Sequence, residues 1–228
     1  MRKGLLWTLG IVLVLGVGGY FGDNWLRAYA QDRAVETFAA FGPDDATVEL
    51  GGTPFFLSVI TRSVPSAHVT VSSAPLVVAT HPVTLTDIVA DTGTVKLGAN
   101  GMSLATITAT ARLSYEDLSK IADVPVSYAK DGRLQLRYKT EVLGRELAFA
   151  ISALPEADVE AQVIRLSDPK LDLAGNTIDL GLTQDQIDGL VDPIKVQLEY
   201  GLRLTGITPD KDGVAIAVDG NDVEIPLP

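Results

Sequence analysis

The chain has 228 residues, of which 46% are hydrophobic, and its formal net charge at pH 7 is −11. This hydrophobic content allows a sizeable core and argues against intrinsic disorder. The negative charge argues against binding to nucleic acid, which needs a concentrated basic face. The absence of cysteine excludes disulfides, thiolate metal sites and a cysteine nucleophile.

The N-terminus has the pattern of a membrane-inserted or exported segment. After Arg2 and Lys3, the run Leu5–Phe21 contains 17 residues and no charged side chain. As a helix it would be about 26 Å long, close to the roughly 30 Å hydrocarbon core of a bilayer. The sequence Ala28–Ala30 (AYA) is a signal-peptidase type of site, although it lies well beyond the apolar run. A signal anchor and a cleaved signal peptide both stay open, and both place the remaining chain outside the cytoplasmic membrane.

The sequence therefore divides into residues 1–21, the signal anchor or signal peptide, and residues 22–228, a single extracytoplasmic domain. Asn24–Phe41 has apolar residues at helical spacing and predicts a helix that ends at Gly42-Pro43. No later stretch is long or polar enough to be a linker between domains.

The run LGGTPFFLSVIT, at Leu50–Thr61, is the most aromatic part of the chain after the N-terminal segment. Gly51 and Gly52 end a strand predicted over Thr47–Leu50, and Pro54 cannot donate a strand hydrogen bond. The following Phe55–Leu57 is thus predicted to lie in a turn or a short irregular helix.

Alternation of apolar and polar residues dominates the rest of the chain. This pattern predicts antiparallel strands with one dry face and one wet face. In the clearest case, residues 105–113, small apolar side chains face one way and threonines the other. Asp131-Gly132 and Gly220-Asn221-Asp222 are predicted hairpin turns. The alternating segments are 67–72, 105–113, 133–142, 147–151, 159–163, 214–218 and 223–227.

Two short helices interrupt these strands. Ser114 is a predicted N-cap for a helix whose apolar side carries Leu118 and Ile121. Thr183 opens a second helix with a capping box. The apolar side of that second helix carries Ile187, Leu190 and Val191.

The usual catalytic constellations are missing from the sequence. His68 and His81 are the only histidines and are predicted to be unrelated surface residues, so no metal site is expected. Asp87 and Asp91 fit caps and solvated charges better than an acid–base pair. No phosphate-binding loop, dinucleotide fingerprint or nucleophile elbow appears, so we expect neither a cofactor nor an enzymatic activity.

What remains is a long antiparallel sheet with several helices and a membrane segment beside it. A sheet that curls around its helices and is lined by small side chains could hold acyl chains in its interior. An ordinary filled core is the alternative, and composition alone favours it.

Three stretches resemble a known family. The first is the N-terminal anchor with the helix that follows it, and the second is Gly52–Leu57, which reads G-x-P-F-F-L. The third is Tyr200–Leu227, which contains G-L-x-L and a later G-V-x-I-x-V strand. They are similar to the LmeA-like family of actinobacterial cell-envelope proteins, which act in lipomannan elongation. The resemblance implies an α+β fold of the tubular lipid-binding type, a curled antiparallel sheet wrapped around a long helix with short extra helices. It also implies a periplasmic protein that binds phospholipids, including phosphatidylinositol-type lipids, and supports lipomannan assembly.

With this resemblance, the Phe-Phe segment becomes a candidate hydrophobic lip of a lipid tunnel, with a buried plug as the alternative. The expected partners are a phospholipid or phosphoinositide-type lipid, the cytoplasmic membrane through residues 5–21, and envelope glycosyltransferases. The competing interpretation is a non-lipid scaffold that docks envelope biosynthetic enzymes. The candidate lipid-binding residues are Phe55, Phe56, Leu57, Val59, Leu118, Ile121, Ile187 and Leu190.

Overall fold

The computed structural model of the protein describes residues 23–32, 35, 45–52, 55–78, 81–98, 101–142, 145–173, 176–189, 193–196 and 198–226. The apolar run Leu5–Phe21, much of the helix predicted to reach Phe41, and Leu190 lie outside these residues. In the part of the chain that is described, none of the helices combines the length and the apolar character needed to cross a membrane.

Helices and strands in the first half of the chain begin with α1, which is described over residues 23–32. The predicted strand before the double glycine is present, and the aromatic segment after it is a short helix. The elements that follow α1 are β1 (Ala46–Leu50), α2 (Phe55–Thr61), β2 (Ser63–Val64), β3 (Ala67–Val78), β4 (His81–Thr92), β5 (Val95–Leu97) and β6 (Gly101–Leu113).

The second half begins with a helix whose N-cap is Ser114, as predicted: its Oγ accepts a hydrogen bond from the Asp117 amide at 3.0 Å. The elements are α3 (Tyr115–Ala122), β7 (Val126–Ala129), β8 (Arg133–Val142), β9 (Arg145–Asp158), β10 (Val163–Leu173), β11 (Asn176–Asp179), α4 (Gln184–Asp188), β12 (Ile194–Lys195), β13 (Leu202–Asp210) and β14 (Gly213–Pro226).

The strands form two sheets, and every pairing between described strands is antiparallel, as the alternation predicted. Sheet 1 has the order β1-β3-β4-β6-β14-β13, with β5 paired to β6 and β2 paired to β5. Sheet 2 has the order β11-β10-β9-β8-β7, with β12 paired to β10. The last two strands of the chain thus return to the sheet that the first strands began.

The expectation of one curled sheet wrapped around a long helix is corrected in part. The strands divide into two sheets because α3 follows β6 and leads into β7, which starts a new sheet. The described strands form no closed barrel. Helices α2, α3 and α4 have seven, eight and five residues, and the described part of α1 is bound to the Gly51-Gly52 segment through Arg27.

One buried cluster joins the two sheets. Val126 and Leu134 come from sheet 2 and Val214 from sheet 1, and we call these three residues the inter-sheet core. Val214 is only 1% exposed. The partly buried side chains that pack against it are Tyr115, Leu118, Val124, Leu136, Ile207 and Ile216.

Two long strands contain a β-bulge at an aspartate in the left-handed region. Asp87 has φ 49° and lies where β4 gains one residue relative to β6. Asp168 has φ 48° and lies where β10 gains one residue relative to β9. Short polar side chains tolerate this conformation better than most. Each bulge aspartate also forms an ion pair with an arginine of its own sheet. Asp87 pairs with Arg112 on the neighbouring β6, and Asp168 pairs with Arg133 on β8, two strands away.

Turn predictions had mixed outcomes. Asp131-Gly132 forms the β7–β8 hairpin turn, with φ values of 62° and 72°. The prediction of a turn at Gly220-Asn221-Asp222 is wrong, because β14 continues through these residues. A Cβ at Gly220 would lie 2.6 Å from Val223 Cγ2, so this glycine allows a close approach inside the strand.

The strand predicted over 159–163 is also wrong, because residues 159–162 form a turn between β9 and β10. Asp158 Oδ1 accepts hydrogen bonds from the amides of Glu160 and Ala161 at 3.1 and 2.9 Å. This side-chain turn outweighs a short apolar alternation.

Candidate functional site

An unbroken row of apolar side chains crosses six strands of sheet 1 on one face. The pairing register puts these residues directly opposite one another on successive strands, so their side chains share that face. We call them the central row: Val48, Val69, Ala90, Ala109, Val218 and Leu204, in the order of the strands.

Burial along the central row is lowest in the middle. Val48 and Leu204, at the two ends, are 5% and 1% exposed. The four residues between them are only half-buried. The two smallest side chains, Ala90 and Ala109, lie side by side at the centre. The central row is therefore covered at both ends and half-open at its centre, unlike a filled core, in which the centre is the most buried part. We call this half-open apolar strip the trough.

The dimensions of the trough suit an extended hydrocarbon chain. Six strands at a spacing of about 4.8 Å give a row roughly 24 Å long. The hydrocarbon of one bilayer leaflet is about 15 Å thick, half of the full core. The opposite face of the same strands is polar, with exposed Glu49, Asp91, Thr108 and Thr110.

Sheet 2 has a similar row, which we call the second row. Its register likewise places apolar residues opposite one another on five strands. Exposure rises along it, from 8% at Val126 to 47% at Ile178. The residues of the second row are Val126, Leu136, Ile151, Leu171 and Ile178.

The two apolar faces meet at the inter-sheet core. Val126 of the second row belongs to this core, and Leu136 of the same row packs against it, as do Ile207 and Ile216 of sheet 1. Ile216 is two residues from Val218 of the central row and points to the same face. The apolar surface is thus continuous from one sheet to the other, buried where the sheets join and half-open away from that joint.

The predicted lip residues lie on α2, and they occupy both buried and exposed positions of this helix. Phe55 is 2% exposed and therefore fills the interior, as the plug alternative described. Phe56, Leu57 and Val59 are 46%, 47% and 51% exposed. The guanidinium carbon of Arg27 lies 5.5 Å from the centre of the Phe55 ring, a cation–π contact that holds this ring against α1.

The other predicted residues lie in different places. Leu118 packs on the inter-sheet core and Ile121 is half-buried on the same helix. Ile187 is buried on α4, which packs against β10, and Leu190 is not among the described residues. The candidate residues are therefore distributed over three helices that contact different strands. The sequence did not predict the central row. Alternation shows which face of the sheet a residue takes, but not which residue lies opposite it on the next strand.

Polar groups near the inter-sheet core are paired with one another. Arg112 Nη1 lies 2.6 Å from Asp210 Oδ1, and this hydrogen bond raises the pKa of Arg112 and lowers the pKa of Asp210. Burial, with a smaller effect of Asp210, raises the pKa of Tyr115 to about 12. At neutral pH this cluster holds a charged pair and a neutral phenol, an arrangement that fixes α3 against the β13–β14 turn.

The wet face of sheet 1 carries a small groove. It holds about 210 Å³, below the roughly 300 Å³ at which ligand pockets usually begin. His68 in this groove lies 2.7 Å from Asp91 through Nδ1 and Oδ1. Among the described residues, no three His, Asp or Glu side chains are grouped so that they could hold a metal ion.

Comparison with known proteins agrees with the apolar surface. A model of the family described as LmeA-like phospholipid-binding matches residues 21–219. No curated protein and no solved structure matched the chain significantly. The family match covers both sheets and the strands of both apolar rows, apart from the end of β14. The chain belongs to the LmeA-like phospholipid-binding family.

Proposed function

We propose that this protein holds the acyl chains of a phospholipid on the apolar surface formed by the central and second rows. The observation that carries the proposal is the half-buried centre of the central row at Ala90 and Ala109. Small side chains there leave room over a surface that water would otherwise contact, and a bound chain would remove that contact. Membership of a phospholipid-binding family supports the same occupant.

The energetics favour capture of lipid. Burying one methylene contributes about 0.8 kcal/mol, so ten methylenes on the trough would contribute about 8 kcal/mol. Release would then limit transfer. The head group would stay at the rim, and this role needs no catalytic residues. Phosphatidylinositol-type lipids and lipomannan-type lipoglycan assembly, with envelope glycosyltransferases as partners, form the finer part of the proposal and rest on the family resemblance.

The proposed location is the outer side of the cytoplasmic membrane. Leu5–Phe21 supports it, because its length and lack of charge suit a membrane segment with Arg2 and Lys3 on the cytoplasmic side. Residues 22–228 would then form one extracytoplasmic domain. We expect the segment to be retained, and N-terminal sequencing of the mature protein that begins at Gln31 would contradict this retention without affecting lipid binding.

Native mass spectrometry of gently purified full-length protein tests the lipid-binding role. We expect phospholipid to co-purify, and lipid-stripped protein to take up phospholipid again from vesicles that contain phosphatidylinositol and phosphatidylglycerol. Absence of lipid from gentle preparations, together with no uptake from vesicles, would overturn the proposal. That result would favour a scaffold that docks envelope enzymes.

A further inference from the structure

Helix α2 exposes an unusually apolar surface. Its buried side consists of Phe55 and Ser58. The remaining face has no charged side chain, whereas the water-exposed face of a surface helix is normally polar. We call this surface the α2 face; its residues Phe56, Leu57, Val59 and Ile60 are 46%, 47%, 51% and 73% exposed.

The start of α2 is fixed to the start of α1. The Phe56 amide donates a hydrogen bond to Asp23 Oδ1 at 2.8 Å, and Asp23 is only 8% exposed. Arg27, one turn further along α1, donates to the carbonyl of Gly52 and also contacts the Asp23 carboxylate. These contacts join two segments that are far apart in the sequence.

This joint has a consequence for the position of α2. The apolar run Leu5–Phe21 ends two residues before Asp23. Two residues span at most about 7 Å even when extended, so Asp23 is within that distance of the end of the run. If the run spans the membrane, the first turn of α2 therefore lies within about 10 Å of the boundary between hydrocarbon and head groups.

The exposed aromatic residues of α1 suit the same location. Trp25 and Tyr29 are 68% and 51% exposed, and their rings stack with centroids 5.9 Å apart. Tryptophan and tyrosine are the residues enriched at the level of lipid head groups. Because the chain carries a net charge of −11, attraction to anionic lipids cannot hold it there, so contact must come from apolar insertion.

We propose that the α2 face is inserted into the outer surface of the phospholipid bilayer that holds the N-terminal segment. This inference rests on the proposed membrane attachment but does not require lipid in the trough. It also places the trough near its source of lipid. Val48 of the central row is two residues, about 7 Å, from the end of β1 that leads towards α2.

Site-specific fluorescence on the full-length chain tests this position. The chain contains no cysteine, so Ile60→Cys provides a single site for an environment-sensitive dye. Thr110→Cys, exposed on the wet face of sheet 1, is the matched control. Both proteins are reconstituted in phosphatidylcholine vesicles and treated separately with a shallow spin-labelled phosphatidylcholine and with aqueous iodide.

We expect the lipid quencher to act severalfold more strongly on the dye at position 60 than on the control, with iodide showing the reverse order. Equal iodide quenching at both sites would overturn the proposal, as would protection of position 60 from both quenchers, which would indicate coverage by protein. Failure of the chain to float with the vesicles would overturn it too. Native mass spectrometry of the same labelled proteins reports on trough lipid separately, so loss of docking and loss of lipid binding are distinguishable.

Discussion

The hydroxyl of Tyr115 lies 2.5 Å from the main-chain carbonyl of Asp210, to which it donates a hydrogen bond, and 3.1 Å from that of Gly213. The bond connects α3 to the turn between β13 and β14. Since α3 also packs on the inter-sheet core, this one phenol helps to set the position of sheet 2 on sheet 1.

We expect Tyr115→Phe to lower the free energy of unfolding by about 1–2 kcal/mol, because a partly buried carbonyl loses its donor while the ring stays in place. Urea denaturation measures this change. Tyr128→Phe is the control, since the Tyr128 hydroxyl has only a 3.4 Å contact with the Gly132 amide. Equal destabilisation by the two changes would contradict the assigned role of Tyr115.

The same residue predicts a loss of stability at alkaline pH. Burial raises the pKa of Tyr115 to about 12, above its unfolded value near 10. The folded state therefore retains the proton more strongly, and this contribution is complete below pH 10 and disappears as pH rises towards 12. Stability curves over this interval should fall less steeply for Tyr115→Phe than for the parent. Parallel curves would show that another group is responsible.

Asp117 predicts a loss of stability at acidic pH. The hydrogen bond from Lys120 lowers its pKa most, with further contributions from the Thr84 amide and Ser114. A lowered pKa gives stability that is present above the unfolded value of about 3.9 and is lost as pH falls through the folded value. Asp117→Asn should cost about 1–3 kcal/mol at neutral pH and flatten the acid limb. Glu116→Gln, at an exposed neighbour, should do neither.

The two phenylalanines of α2 should respond differently to the same substitution. Phe55→Asp places a carboxylate at a site that is 2% exposed and should cost roughly 3–5 kcal/mol. Phe56→Asp should change stability by only about 0.5 kcal/mol, because its ring is nearly half exposed, but should reduce lipid binding by weakening the contact of the α2 face with the membrane. Thermal melting and fluorescent-lipid binding are measured on both variants. If both variants melt like the parent and bind lipid normally, α2 contributes neither to the core nor to lipid binding.

A bulky residue in the trough should block lipid without unfolding the protein. We expect Ala109→Phe to reduce the co-purified phospholipid severalfold, since the ring would fill the space above the centre of the central row. Thr108→Phe is the matched control, because it adds a ring on the wet face of the same strand. Native mass spectrometry gives the occupancy and circular dichroism gives the fold. Unchanged occupancy in Ala109→Phe would place the lipid elsewhere.

Features that depend on one short segment of the chain could be predicted from the sequence. Ser114 and its first helical turn contain everything that the N-cap of α3 needs, and Asp131-Gly132 contains the left-handed residues of a hairpin turn. Alternation over 105–113 likewise gave the dry face of β6 for most of its length. These predictions depend on interactions within a few residues.

The trough could not be predicted in this way, because it depends on register between distant strands. Val48 and Leu204 occupy opposite ends of the central row, and no local pattern connects them. At Gly220 a local pattern gave a wrong prediction. A glycine followed by Asn and Asp is typical of a turn, but β14 continues through these residues because the buried Val223 packs closely against Gly220. Tertiary contacts decided both cases.

The bulges at Asp87 and Asp168 limit the insertions and deletions that their strands can tolerate. Leu85 and Ala90 face the same side of sheet 1 although they are five residues apart, because Asp87 restarts the alternation between them. Deletion of this one codon would turn the residues on one side of it to the opposite face, exchanging dry and wet positions along the strand. The same deletion in the 159–162 turn would remain local. Insertions and deletions near these two aspartates should therefore disrupt the strands, whereas length variation should be tolerated in the hairpin turns.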